Sequence, residues 1–181
     1  MKKSVGLILV TTISDGQGGE IFMAVLQRRG HWNTEKMSKE SYPGCCQVSV
    51  HGGLKDGESF YVGLIRESSE ELGDEFTQAS QKDIPLTELF RELTNEKEVR
   101  TYGAFIPTER LSMVRLGPDS GGLELVHGDN FFNGQVQEIT EDMKLNGPPH
   151  GVIALFPDEI QAVKKALEMF ALRRHMSILN S

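Results

Sequence analysis

The sequence predicts a single domain of mixed α/β (α+β) class. Three observations carry that reading. The chain has 181 residues, the size of one ordinary domain, and 38% of them are hydrophobic, which is enough for one core. Apolar, β-branched runs at 4–12 and 20–27 flank the turn-forming stretch Asp15-Gly16-Gln17-Gly18-Gly19, the pattern of a β-hairpin. Helical periodicity then appears at 59–72 and returns after Pro157.

The elements follow in order. Residues 30–44 form a polar connection that holds the only tryptophan, Trp32, and ends at Tyr42-Pro43-Gly44. The alternating segment Gln47-Val48-Ser49-Val50 runs into His51-Gly52-Gly53 and predicts a short strand. Over 59–72 the pattern is helical, with Ser59 as N-cap and Gly73 as the stop. Leu86, Leu89, Phe90 and Leu93 fall at i, i+3, i+4 and i+7 behind Asp83 and Pro85, which predicts a second short helix. Residues 99–106 read as a strand, and the glycine-rich stretch 117–134 as a long loop or a pair of short strands. Ile160, Val163, Leu167 and Phe170 lie on one face of a last helix, whose role is packing. No repeat or linker interrupts residues 1–181, so the chain reads as one domain.

Composition narrows the partners. With 19 Lys and Arg against 26 Asp and Glu, the net charge of −7 disfavours nucleic acid as an obligate partner, and likewise anionic membrane surfaces. A small phosphorylated ligand held through metal ions is compatible with it. No run approaches the roughly 20 apolar residues that cross a bilayer. Lys2 and Lys3 precede an apolar stretch of only six residues, 5–10, so a first strand is a better reading there than a secretion signal. Cys45 and Cys46 are adjacent, and a bridge between them would close almost no loop. The expectation is a cytoplasmic protein with reduced thiols, both half-buried on a strand.

The chemistry concentrates between Gly52 and Gly73. On a helical wheel, Tyr61, Leu64, Ile65, Ser68 and Leu72 gather within about 60° and form the predicted buried stripe. Glu67, Glu70 and Glu71 share the far side within an arc of about 100°, with Arg66 at its edge. Most acidic runs on helices are solvated faces. Like charges at this spacing nevertheless cost a few tenths of a kcal/mol per pair, so a positive partner is expected. Carboxylate oxygens favour hard cations such as Mg²⁺ or Mn²⁺.

Gly52, Glu58, Arg66-Glu67, Glu70-Glu71 and Gly73, at intervening spacings of five, seven, two and one residues, resemble the complete signature of the Nudix hydrolases. Two positions depart from that pattern: Ser68 and Asp74 stand where the family has aliphatic side chains. Gly63 takes a slot often filled by alanine and costs about 1 kcal/mol in a helix interior, which suggests that it makes room for a ligand. The resemblance implies a Nudix-type mixed β-sheet sandwiched between helices, with residues 52–74 as loop, helix and loop. It also implies Mg²⁺ or Mn²⁺ bound by Glu67, Glu70 and Glu71, with Glu67, Glu70 and Arg66 as the catalytic set. One of the glutamates or a more distant acid would deprotonate the attacking water, Arg66 would orient a glutamate, and Gly52, Glu58 and Gly73 would be structural. Backbone near His51 and Gly52 would add a carbonyl ligand.

The implied reaction is hydrolysis of a nucleoside diphosphate linked to another group. The partner is then a small nucleotide-type molecule, and homodimers are common in the family. Arg28 and Arg29 end the second strand, where such proteins place a phosphate-contacting arginine. Glu124, Glu138, Glu141 and Asp142 are candidates for an acid from outside the helix, and Trp32, Phe60, Tyr102 and Phe105 for stacking on a base. Selectivity is expected in 30–44 and 117–150.

Two other readings compete. Tyr42-Pro43-Gly44, Ser49, Gly52 and Gly57-Glu58 also resemble the approach to the signature in isopentenyl diphosphate isomerases. That enzyme's catalytic cysteine falls on His51 and its metal-binding histidine on Gly53, so neither functional residue is present. A non-catalytic nucleotide-binding module is the other, and such modules generally lose one or more of the metal glutamates that are all present here.

Overall fold

A computed structural model describes residues 1–34 and 36–179, with side chains up to residue 172. β1 (Lys2–Ser14) and β2 (Glu20–Arg29) form the expected hairpin, in which the Asp15 carboxylate accepts the N–H groups of Gln17 and Gly19 to fold the turn. A small ribbon of β3 (Trp32–Asn33) and β4 (Ser38–Lys39) occupies the polar connection. β5 (Cys46–Gln47) and β6 (Val50–Gly53) follow, then the helices α1 (Phe60–Leu72) and α2 (Asp74–Asp83). β7 (Thr87–Leu93), β8 (Lys97–Phe105) and a 3₁₀ turn (Thr108–Met113) lead to β9 (Ser120–His127) and α3 (Gly128–Phe132). The chain ends through β10 (Gln137–Glu138), α4 (Met143–Asn146), β11 (Ala154–Leu155) and α5 (Pro157–Leu179).

Seven strands make one mixed sheet in the order β5-β2-β1-β8-β7, with β9 added to β2 and β6 to β1. β1 runs parallel to β8 and antiparallel to β2. The strands β1 and β2 pair only over residues 9–14 and 20–25, and below that point they diverge. Residues 46–53 fill the fork, β5 pairing with β2 and β6 with β1. Ser49 bridges it: the hydroxyl donates to the Val25 carbonyl and accepts the Leu9 N–H at 2.8 Å. This fork carries the signature loop to the sheet surface.

Both faces of the sheet are covered, which is why β1 is an unbroken apolar run. Val5, Leu7 and Leu9 point to the side of α1 and α2 and pack with Leu64, Leu72 and Phe76. Ile8 and Val10 point to the side of α5 and pack with Ile160, Val163, Leu167 and Phe170, the four positions read from the sequence. Among the described residues no helix is long and apolar enough to cross a membrane.

Two expectations are corrected. Residues 86–93 form strand β7, not a helix: Leu89 is buried while Phe90 and Leu93 are exposed, and a register shift at Glu88/Phe90 breaks the alternation that would otherwise have shown. Cross-strand pairs of Arg91 with Glu98 and Glu92 with Lys97 favour that pairing, which no local spacing encodes. The helix lies earlier, at α2, which buries only Phe76 and Thr77 and so leaves little apolar periodicity to read. Residues 117–134 supply one strand and a short helix in place of two strands or a loop.

Candidate active site

The site grows from α1. The Ser59 hydroxyl accepts the Val62 N–H at 3.3 Å and starts the helix, and Gly73, at φ +93°, ends it. The buried side comprises Gly63, Leu64, Glu67, Ser68 and Leu72, whereas Tyr61 is 55% exposed. The stripe is thus rotated toward the acids relative to the wheel, because the helix packs on β6 as well as on β1. Glu67 is only 9% exposed, and its carboxylate lies against Gly52. A Cβ at residue 52 would sit 1.9 Å from the Glu67 carboxylate carbon, so any larger residue there would displace that carboxylate. Gly63 is also corrected: the space beside it is filled by Leu54 and the Glu58 carboxylate, not reserved for a ligand.

Arg66 ties this helix to the loop before it. Its guanidinium grips both Glu58 oxygens at 3.0 Å, donates to the Gly53 carbonyl at 2.8 Å, and reaches Glu67 at 2.8 Å and Glu70 at 3.1 Å. The Lys55 N–H adds a further bond to Glu58 at 2.9 Å. Those Arg66 and Lys55 donors hold the Glu58 carboxyl down to about 2. Glu71 is the opposite case. Burial, with Glu67 and Glu70 adding like charge, pushes its carboxyl up to about 8 against the pull of a 3.3 Å bond from the His51 N–H. Burial also raises Glu67, despite Arg66.

Glu67, Glu70 and Glu71 line one wall of a polar cleft of about 660 Å³. Gln27 and Arg29 of β2 and Gln47 of β5 form its floor, and Asn33, Thr34 and Asp119 its outer side. Asp119 joins two loops, since its carboxylate accepts both the N–H and the hydroxyl of Thr34 while its carbonyl accepts the Gly30 N–H.

No family model and no curated protein matches the chain at the level of sequence. The match is structural. A mutT/nudix family protein from Listeria innocua superposes with a TM-score of 0.65 at 19% identity, over 97% of each chain. The fold is the Nudix fold. The same architecture recurs in a C. elegans Ap4A hydrolase binary complex, with a TM-score of 0.56 and 13% identity over 94% of this chain and 98% of that one. It recurs again in the NUDIX domain of Shewanella oneidensis NrtR complexed with ADP ribose, at 0.56 and 14% over 93% and 87%.

In this Nudix fold Glu67, Glu70, Glu71 and Arg29 face one cleft, while Arg66 and Glu58 brace the wall behind it. Arg28 also borders the cleft, but its guanidinium is turned to Glu124 at 2.8 Å and the Gly44 carbonyl at 2.9 Å. Arg29 is paired with Glu40 at 2.7 Å and bonded to Gln47 and the Ser41 carbonyl. None of Glu124, Glu138, Glu141 and Asp142 lines the cleft, and Glu141 is engaged with Lys144. None of the four aromatic candidates lines it either: Phe60 lies under Arg100, and Phe105 packs with Phe22 and Phe170. Cys45 and Cys46 are fully buried, not half-buried, and burial lifts the Cys46 thiol to about 12. The residues missed from sequence are Gln27 and Gln47, bonded to each other at 2.9 Å; the one available signal was an amide at the end of an apolar strand.

The donor set suits a hard dication, being all carboxylate. Among the described residues, however, no three acidic, histidine or cysteine side chains converge tightly enough to hold one as they stand. Glu67 and Glu70 each direct an oxygen to Arg66, and Glu71 directs one to the His51 N–H. Seating an ion requires these carboxylates to draw closer together.

Proposed function

We propose that the protein is a Nudix hydrolase: a metal-dependent pyrophosphohydrolase acting on a nucleoside diphosphate linked to another moiety, of the nucleotide sugar, ADP-ribose, NTP or dinucleotide type. The observation that carries the reading is that Glu67, Glu70, Glu71 and Arg29 line one polar cleft. Two structural relatives support a small nucleotide as ligand, one described as an Ap4A hydrolase and one holding ADP ribose.

Glu67, Glu70 and Glu71 would hold Mg²⁺ or Mn²⁺, which lowers the pKa of a bound water and offsets charge on phosphate oxygens as the anhydride breaks. The chain's own groups do the rest. Arg66, fixed by both oxygens of Glu58, keeps Glu67 and Glu70 at their place on the helix face. One of these glutamates, or a more distant acid, would accept the proton of the attacking water. Arg29 uses three guanidinium N–H groups on Ser41, Gln47 and Glu40, and of the five such groups two are left for a phosphate.

The test is incubation with Mg²⁺ and a panel of nucleotide sugars, ADP-ribose, nucleoside triphosphates and dinucleoside polyphosphates, following the phosphate products. Cleavage of at least one class is expected, with most turnover lost in Glu70→Gln while the circular dichroism spectrum is kept. Near-wild-type turnover of that variant at saturating Mg²⁺ contradicts the assignment. No cleavage anywhere in the panel, with one compound raising Tm, identifies a binding module instead.

A further inference from the structure

A second cavity, of about 250 Å³ and partly open to solvent, lies on the other side of α1, lined by residues of α1, α2, β1 and β8 and of the connection that follows α2. It shares no lining residue with the polar cleft. No acidic, basic or histidine side chain lines it; its walls are chiefly leucine, isoleucine and phenylalanine. Five lining residues, Tyr61, Ser68, Thr77, Ser80 and Gln81, carry polar groups, and two of them share a further property. Thr77, only 3% exposed, and Ser80, one helical turn on along α2, each hold a buried hydroxyl oxygen that lacks a hydrogen-bond partner. Only one other buried side-chain atom among the described residues, Glu159 Oε2, is without a partner.

Buried hydroxyls without partners are costly and rare, and two on the same helix face beside one cavity call for an explanation. An ordered water needs two to four polar partners, and beyond Thr77 and Ser80 only Tyr61, Ser68 and Gln81 bring polar groups to a wall that is otherwise apolar. An apolar cavity of about 150 Å³ is known to take a benzene, so this one has room for two fused rings. Ser68 lines the cavity too, at one of the two positions where the chain departs from the aliphatic pattern of the signature it resembles. A larger side chain there would occupy part of the space.

We propose that this cavity is a binding site for an uncharged, largely apolar small molecule bearing a hydroxyl or carbonyl group, which the Thr77 and Ser80 hydroxyls satisfy. The lining holds no carboxylate, amine, guanidinium or imidazole, which sets the charge of the ligand, and the orphan pair sets its polar end. The site touches the acidic helix from behind, through Leu64 and Ser68, so occupancy slows amide exchange in both α1 and α2.

The probe is 1-naphthol, titrated into the full chain by calorimetry and by NMR of the methyl groups. One saturable site is expected, with shifts at Leu64, Ile84 and Ile106, while naphthalene-1-sulfonate, the same rings with a charge, binds at least about tenfold more weakly. Thr77→Val with Ser80→Ala should weaken 1-naphthol about tenfold without lowering Tm, since it removes groups that nothing in the protein satisfies. Ser68→Leu should abolish binding by filling the space. The proposal fails if 1-naphthol shows no saturable binding to the wild type, or binds the Thr77→Val, Ser80→Ala variant as tightly as the wild type. These readouts are independent of hydrolysis, so they stand or fall apart from the activity proposed above.

Discussion

Glu58 and Glu71 bracket the same loop and helix and are the same kind of acid, yet their surroundings drive them in opposite directions. Glu58 is saturated with donors from Arg66 and Lys55, and its carboxyl falls to about 2. Glu71 sits among other acids with one 3.3 Å N–H bond, and its carboxyl rises to about 8. A carboxylate that is already satisfied holds structure together; a buried one that is not keeps its proton until a cation takes that place. The loop end of this segment is therefore an anchor and the helix end a receptor.

The strongest way to break the contrast is to neutralise each acid in turn. Glu71→Gln should lower turnover at least about 100-fold, because it removes a proposed ion ligand. It should leave Tm of the ion-free protein unchanged or higher. Glu58→Gln should do the reverse, lowering Tm by several degrees while reducing turnover only about tenfold through a loosened Arg66. Thermal melts and steady-state rates on the two variants decide the matter, and equal losses of Tm would erase the distinction.

A finer test uses pH. The folded Glu71 carboxyl keeps its proton to higher pH than an unfolded chain would, so its contribution to stability is complete below about 4.5 and is lost as pH rises through about 8. Tm of the ion-free protein should accordingly fall between those values, and Mg²⁺ should restore more of it at pH 8 than at pH 5. Burial lifts Glu159 at the start of α5 to about 7, which adds a slope of the same sign; Glu159→Gln removes that part and leaves the Mg²⁺-sensitive part. The smallest effect is expected of Gly63→Ala. Better helix propensity, about 1 kcal/mol, is opposed by a Cβ placed 3.0 Å from Leu54 and 3.2 Å from Glu58, so Tm should move by only a few degrees.

What can be read from the sequence follows from where each signal is stored. The β1–β2 hairpin, the capped helix α1 and the apolar face of α5 are legible because their apolar spacing and turn residues are local. The segment 86–93 is not, since its helical spacing is overruled by pairing with β8 and by charged partners several residues away in the next strand. The acids of α1 are legible as a set, but the inward turn of Glu67 is not, because it depends on the missing side chain of Gly52 across the fork. Arg28 and Arg29 look alike on paper. Only the fold pairs one with Glu124 and sets the other, beside Glu40, toward the cleft.

The pairing of β1 with β8 has a consequence for how the protein is made. Residue 2 of the first strand meets residue 97 and residue 10 meets 105, a constant offset of 95 positions. At roughly 5–20 residues per second of synthesis, the opening hairpin waits about 5–20 s for its central neighbour to emerge from the ribosome. Through that interval its most oily strand carries a bare edge, so the nascent chain is most at risk of sticking to its neighbours before β8 arrives.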